Sequence, residues 1–452
     1  NFICNGSTYG LYTGRGILVI NDGYFYSKSG SAIGTDINVA SDITINGGTY
    51  EAPSSQAIYN TGTLVINDGT FNGRYGLYEY KNSDKECSAS ILGGKFNVTS
   101  SAINPNTNVY NIVSGGIWSK SVDKEYLADK YVCLDNADES TSSVYKYMVE
   151  EGAYLIFNTD GGTKIDNILL QKGTKLDSSL CPDDPEKAGF IFDSWVDEQG
   201  QPFDFTQTIN EDITAYARYN FDESSGLYKA KISIDETISE GSFSYNNYYY
   251  YTTLASAISA ADNGATVIIV SDCVESKSIA IDKTLTLDVN GKTISFEDTT
   301  GSVTTTLKCF DIKTTGNLTI KGTAATAGKI VSSLKGYTLY NLGSLTIEDG
   351  VVIDYTYATS TSSDSAFAIY NSAANLTING GKVTKTSQAS FFDTQAIRAA
   401  NSNVVINGGV IESDICRPME TIGGTFEMND GTIQSNNQIG ILLTSSSSIL
   451  SI

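Results

Sequence analysis

The chain of 452 residues is long enough for about two to four domains, and its 51 Asp and Glu against 29 Lys and Arg leave a net charge of −22. Such an acidic surface repels nucleic acid and anionic lipid, and no basic stripe offsets it, so neither is expected as a partner. Not one histidine occurs, which removes the serine–histidine and cysteine–histidine catalytic arrangements, most zinc chemistry and the commonest general base.

The chain opens on NFICNGSTYG, without the basic start and apolar centre of a signal peptide. Nowhere does an apolar run reach the roughly 18 residues of a membrane span, so no membrane insertion is expected in this segment. The seven cysteines, Cys4, Cys87, Cys133, Cys181, Cys273, Cys309 and Cys416, are scattered and form no CxxC pair. Zinc and redox motifs are therefore absent. Most of the cysteines are expected as small buried hydrophobes, with their disulfide state left open.

From residue 16 onward one phrase recurs: ILVINDGYF, DITINGGTY and LVINDGTF, with a turn glycine at Gly23, Gly48, Gly69, Gly94 and Gly116, spaced by 25, 21, 25 and 22 residues. Periods in this range indicate a solenoid. The apolar, β-branched triplets LVI and LTI read as strands. Asn-Gly and Asp-Gly supply residues that tolerate positive φ, and a second strand follows. Two positions past the glycine stand Phe25, Tyr50, Phe71, Phe96 and Trp118, which at about 4.8 Å per coil would stack as an aromatic ladder. GLYTG, AIYNTG and GLYEY mark a further strand of each coil. Asn21, Asn46 and Asn67, like Asn379, Asn407 and Asn429 later, precede the turn. They read as an internal amide ladder rather than a binding row.

Asp22 and Asp68 share a turn position two coils apart, which at about 4.8 Å per coil is about 10 Å, near the carboxylate separation of inverting glycosidases. Asp-Gly is also simply a favoured turn dipeptide. The intervening coil carries Gly47, and the chain has just five arginines to hold an acidic sugar. No catalytic residue is assigned.

After Trp118 the period disappears for about two hundred residues. VDKEYLADKYVCLDNADES is similar to the tail that ends β-helical regions in surface proteins of gut Gram-positive bacteria, so 121–147 is expected to be a terminating cap. Segment 148–219, with FNTDGGTKID, KGTKL, DDPEKAGFIFDSW and INEDITAYARY, resembles the Listeria–Bacteroides repeat, a β-grasp-like module of bacterial surface proteins related to internalin B-repeats. Ser194 stands where that family usually has glycine. The resemblance implies a spacer or contact domain without catalytic residues, and Trp195, Phe157 and Phe190 are expected in its core. SYNNYYYY, 244–251, within a linker 220–252, reads as a strand with alternate rings packed inward, or as tyrosine platforms for sugar rings.

TLASAISAADNG forms a short amphipathic helix over 253–263, with Leu254, Ala257, Ile258 and Ala261 on one face and Gly264 ending it. It would cap the solenoid edge. The longer stretch YTTLASAISAADNGATVIIVSDCVESKSIAIDKTLTLDVNGKTI resembles the entry into such β-helical regions. A second series follows at Gly350, Gly381, Gly409 and Gly431, led by a looser member at Gly328. The same offset picks out an aliphatic ladder, Ile330, Val352, Val383, Ile411 and Ile433. The longest insertions, YTYATSTSSDSAFAIY and TKTSQASFFDTQAIR, are candidate binding loops. TSSSSILSI at the end reads as half a rung, with ILSI in the slot of LTIN. Both ends therefore look cut through a solenoid, as expected of an internal section of a longer protein or of subunits abutting in a fibre.

The chain is thus expected to be all-β. It comprises a parallel β-helix over 1–120, the cap 121–147, the module 148–219, the linker 220–252, and a capping helix with a second β-helix over 253–452. The handedness, right-handed, comes from the resemblance alone. The expected function is that of a non-catalytic extracellular bacterial adhesin or stalk, contacting glycan, host or neighbouring cells. A self-assembling fibre subunit and a β-helical carbohydrate-active enzyme are the competing classes. No cofactor and no metal site are expected: GGxGxDxUx and EF-hand loops are missing, and only a weak cation site in the acidic turns is left open.

Overall fold

Coil by coil, the glycine-marked phrase closes into a parallel β-solenoid. A computed structural model of the chain describes residues 1–38, 41–81, 87–138, 140–298, 306–357, 366–386, 395–414, 416–436, 439–445 and 448–451. The chain divides into two units, Asn1–Lys187 with Phe192–Asn220, and Ala188–Ile191 with Phe221–Ile452. The middle parts of both candidate binding loops lie outside the described residues.

In the first unit each coil carries three strand segments. Strands Gly16–Ile20, Ser41–Ile45, Thr63–Ile66 and Ser88–Ile91 pair in parallel, aligning Ile20, Ile45, Ile66 and Ile91. The chain then turns at glycines with positive φ, from +90° at Gly116 to +142° at Gly69, where a side chain would strain the backbone. The next strand puts Phe25 against Tyr50, Tyr50 against Phe71, Phe71 against Phe96 and Phe96 against Trp118. Their rings stack at 5.1, 4.8, 4.6 and 3.8 Å, so the aromatic ladder is as expected. It has one more rung: Phe2 pairs with Phe25 and stacks on it at 5.0 Å.

The stack ends by a change of direction. Strand Tyr147–Asn158 runs antiparallel to Ile117–Trp118, while Val122 and Tyr126 from the preceding segment join the same core. The far half of that strand belongs to the module, pairing Leu155 with Ile213 and Phe157 with Ala215. The boundary expected at 147/148 thus falls inside one strand. The module is a small mixed sheet around Phe157, Trp195, Leu155 and Ile209. Arg218 joins the Asp193 carboxylate at 2.7 Å and the Ser194 hydroxyl at 2.9 Å. Phe190 is not in this core. It belongs to the second unit and meets Phe221 and Phe243 edge-on, while Phe192 packs against Trp195 at 5.6 Å. Residues two apart share a strand face but stand about 7 Å apart along it, enough to meet different neighbours.

In the second unit a hairpin turns at Asn246 and Asn247, both with positive φ. The helix Leu254–Ala260 follows, its N-cap Thr253 accepting from the Ser256 amide. Leu254, Ala257 and Ile258 are buried as expected, but the helix stops at Ala260 because Ala261 is already extended. Gly264, at φ +98°, then starts the first coil. The aliphatic ladder runs Cys273, Ile294, Ile330, Ile353, Val383, Ile411 and Ile433. Ile330, two past Gly328, is in the ladder as expected, with Gly328 inside a strand and not at a turn, but Ile353, not the expected Val352, comes next. One extra residue after Gly350 reverses which side chains point inward. Near the end Leu450 pairs with Phe426, which Asn403–Ile406 aligns with Val404. Leu450, and not the expected Ile449, therefore takes the place of the leucine of LTIN, and Ile452 lies outside the described residues.

Candidate functional site

The third strand of each coil in the first unit carries a row the repeat marks without interpreting. Leu11, Ile33, Ile58, Leu77 and Ile103 align on the inner side. Because side chains alternate along a strand, the residues that follow, Tyr12, Gly34, Tyr59 and Tyr78, align on the outer side. Gly34 interrupts the tyrosines, and its place is taken by another: a Cβ on Gly34 would come within 2.2 Å of two ring carbons of Tyr9. Tyr9 stacks on Tyr12 at 5.1 Å and on Tyr59 at 6.3 Å, and Tyr59 meets Tyr78 edge-on at 5.2 Å.

Thr8, Tyr9, Tyr12, Thr35, Ile37 and Tyr59 line an open groove of about 460 Å³. Thr35 fixes its floor, accepting from the Thr61 amide at 2.9 Å. Loss of hydration among the rings raises the pKa of Tyr9, and that of Tyr59 to about 12 with the neighbouring tyrosines adding to it. Tyr12 is raised by the same effect and then by the Asp36 carboxylate, which repels its ionised form and accepts its hydrogen bond. All three phenols are therefore protonated near neutral pH, each an apolar plate with a polar tip. The sequence marks GLYTG and AIYNTG as strands. The signal that aims their tyrosines outward is the alternation about the inward Leu11 and Ile58.

The second unit repeats the arrangement with different neighbours. Asp311, Tyr340, Tyr370, Arg398 and Glu420 align on one row. Tyr340 and Tyr370 stack at 5.4 Å, and the Lys308 ammonium lies 3.7 Å from the Tyr340 ring centre.

The asparagine rows are amide ladders. Asn46 donates to Asn21 at 2.8 Å and Asn67 to Asn46 at 2.7 Å; Asn407 donates to Asn379 and Asn429 to Asn407. Asp22 and Asp68 each accept from the next amide of their own turn, Gly23 and Gly69, at 2.7 Å, as turn residues do. In 244–251 the tyrosines divide by alternation: Tyr249 and Tyr251 face the solenoid core, while Tyr248 and Tyr250 face a cluster with Tyr228, Phe221 and Phe243. Of the seven cysteines only Cys273, Cys309 and Cys416 are buried, so the expectation that most are buried fails. Cys4 and Cys133 lie on strands and, like Cys87, are half-buried, and Cys181 follows an exposed 3₁₀ turn. Among the described residues no three carboxylates or thiols converge as a metal site would require.

A β-solenoid carrying a repeat module fits a surface or stalk protein in general. Residues 154–218 match the model of the Listeria-Bacteroides repeat domain, inside the segment set apart by its motifs. No curated protein and no solved structure matches the chain. Among the described residues no helix is long and apolar enough to cross a membrane.

Proposed function

We propose that this chain serves as a non-catalytic adhesin or stalk on the outside of a bacterial cell. The observation that carries this reading is the combination of coil stacks held by internal ladders with a module matching the Listeria-Bacteroides repeat. Stacked rings and amides tie each coil to its neighbours, which suits a stiff support with side chains displayed along its outer strands. The module, β-grasp-like by resemblance, would act as a spacer. Catalysis by Asp22 and Asp68 is disfavoured because each carboxylate is engaged by its own turn. The fibre alternative draws on Ile17 and Val19, exposed apolar side chains on the outer face of a strand and open to association.

Antibody labelling of intact cells of the source bacterium should stain the surface; signal only after lysis would refute the location. Incubation of the purified chain with plant and mucin glycans separates the classes. Retention without chemistry is expected, whereas released reducing sugar would mean an enzyme and concentration-dependent filaments would mean assembly.

A further inference from the structure

The groove over Gly34 can be assigned a ligand class. We propose that it binds a neutral glycan chain, whose sugar rings pack against Tyr9, Tyr12 and Tyr59 and whose hydroxyls bond to the phenols. This rests on the reading of the protein as a surface contact protein and names what one face of it contacts.

The lining decides the class. Three of its six residues are tyrosines, and the sole aliphatic one is Ile37. Such a surface suits a ligand with apolar C–H faces and a polar rim, as a pyranose has, better than an apolar side chain. No cation lines the groove, the nearby Asp36 carboxylate disfavours an ionised Tyr12, and the net charge is −22. Uronates, sialates and sulfated chains would meet repulsion with nothing to pair them. The site is also built in advance. Ile33 and Ile58 anchor their strands in the core, and Thr35 is tied to Thr61. The absent side chain at Gly34 is what admits the Tyr9 ring, so the plates are in place before a ligand arrives, which lowers the cost of binding.

Calorimetric titration of the full chain with cellohexaose, xylohexaose and mannohexaose tests this, with polygalacturonate and a proline-rich decapeptide as contrasting probes. Binding of at least one neutral hexasaccharide is expected, with neither contrasting probe bound. Tyr12 is half exposed, so Tyr12→Ala should leave the circular dichroism unchanged and weaken binding by about tenfold, in line with one lost ring contact. Gly34→Ala, which displaces Tyr9, should do the same, and Tyr340→Ala in the other unit should change nothing. No binding to any hexasaccharide, affinity undiminished from that of the parent chain in the Tyr12 and Gly34 variants, or preference for polygalacturonate or the peptide would each overturn the assignment. Surface labelling of cells reads the location independently, so either result can fail without the other.

Discussion

Phe71 is enclosed between Tyr50 and Phe96, with ring spacings of 4.8 and 4.6 Å and no exposure to solvent. Truncation to alanine removes both stacks and leaves a void, so Phe71→Ala should cost about 3–5 kcal/mol in urea unfolding. Phe2, at the end of the same ladder and 49% exposed, should cost clearly less; an equal loss would mean the ladder is not what holds Phe71. A second residue sets a pH dependence. Glu79 is fully buried, with Asn60 donating to one carboxyl oxygen at 2.6 Å and the Cys87 thiol at 3.0 Å. Burial outweighs those bonds and lifts its pKa from 4.5 to about 8. The folded chain therefore holds this proton more tightly than the unfolded one. The stability it contributes is complete below pH 4.5 and is lost as pH rises through 8. The urea midpoint should fall between pH 5 and pH 8, and Glu79→Gln should flatten that slope. Lys385, buried and brought down to about 8 from 10.5, acts in the other sense. The unfolded chain holds more protons between pH 8 and 10.5, so its contribution rises with pH only there.

At the scale of the element, the strand Tyr147–Asn158 serves two structures, closing the coil stack with its first residues and the module sheet with its last. The module nevertheless has its own core in Phe157, Trp195 and Ile209. A fragment of residues 148–219 should melt cooperatively by circular dichroism, and a disordered spectrum would show that the shared strand is indispensable. Phe192→Ala should destabilise it more than Phe190→Ala, whose ring packs elsewhere. These elements also show what could be read from the sequence. The two ladders were legible because a ring or an amide at a fixed offset from a turn glycine must recur in register. Ile353 was not, because one added residue after Gly350 slides the alternation without altering the phrase. Phe2 escaped notice for want of a preceding turn glycine. The groove was invisible for a different reason: Tyr9 reaches Gly34 across 25 residues, and no local pattern announces that contact.

Across the whole molecule, each unit has a separate core, so unfolding should proceed in at least two denaturant transitions rather than one. Phe71→Ala should move one of them and Ile353→Ala the other; a single transition shifted by both would show the units to be coupled. Within a unit, each coil touches only those beside it, and the ladder gives every coil the same connection to the next. The turn glycines thereby become interchangeable splice points. Joining Gly48 directly to Thr70 removes 21 residues and brings Phe71 to the place where Tyr50 met Phe25. Such a shortened chain should still unfold cooperatively in that unit. Unequal recombination between copies of the INDG and INGG codons would make the same joint by accident, so the number of coils is a quantity that inheritance can adjust in whole steps, lengthening or shortening the protein without redesigning any one of its parts.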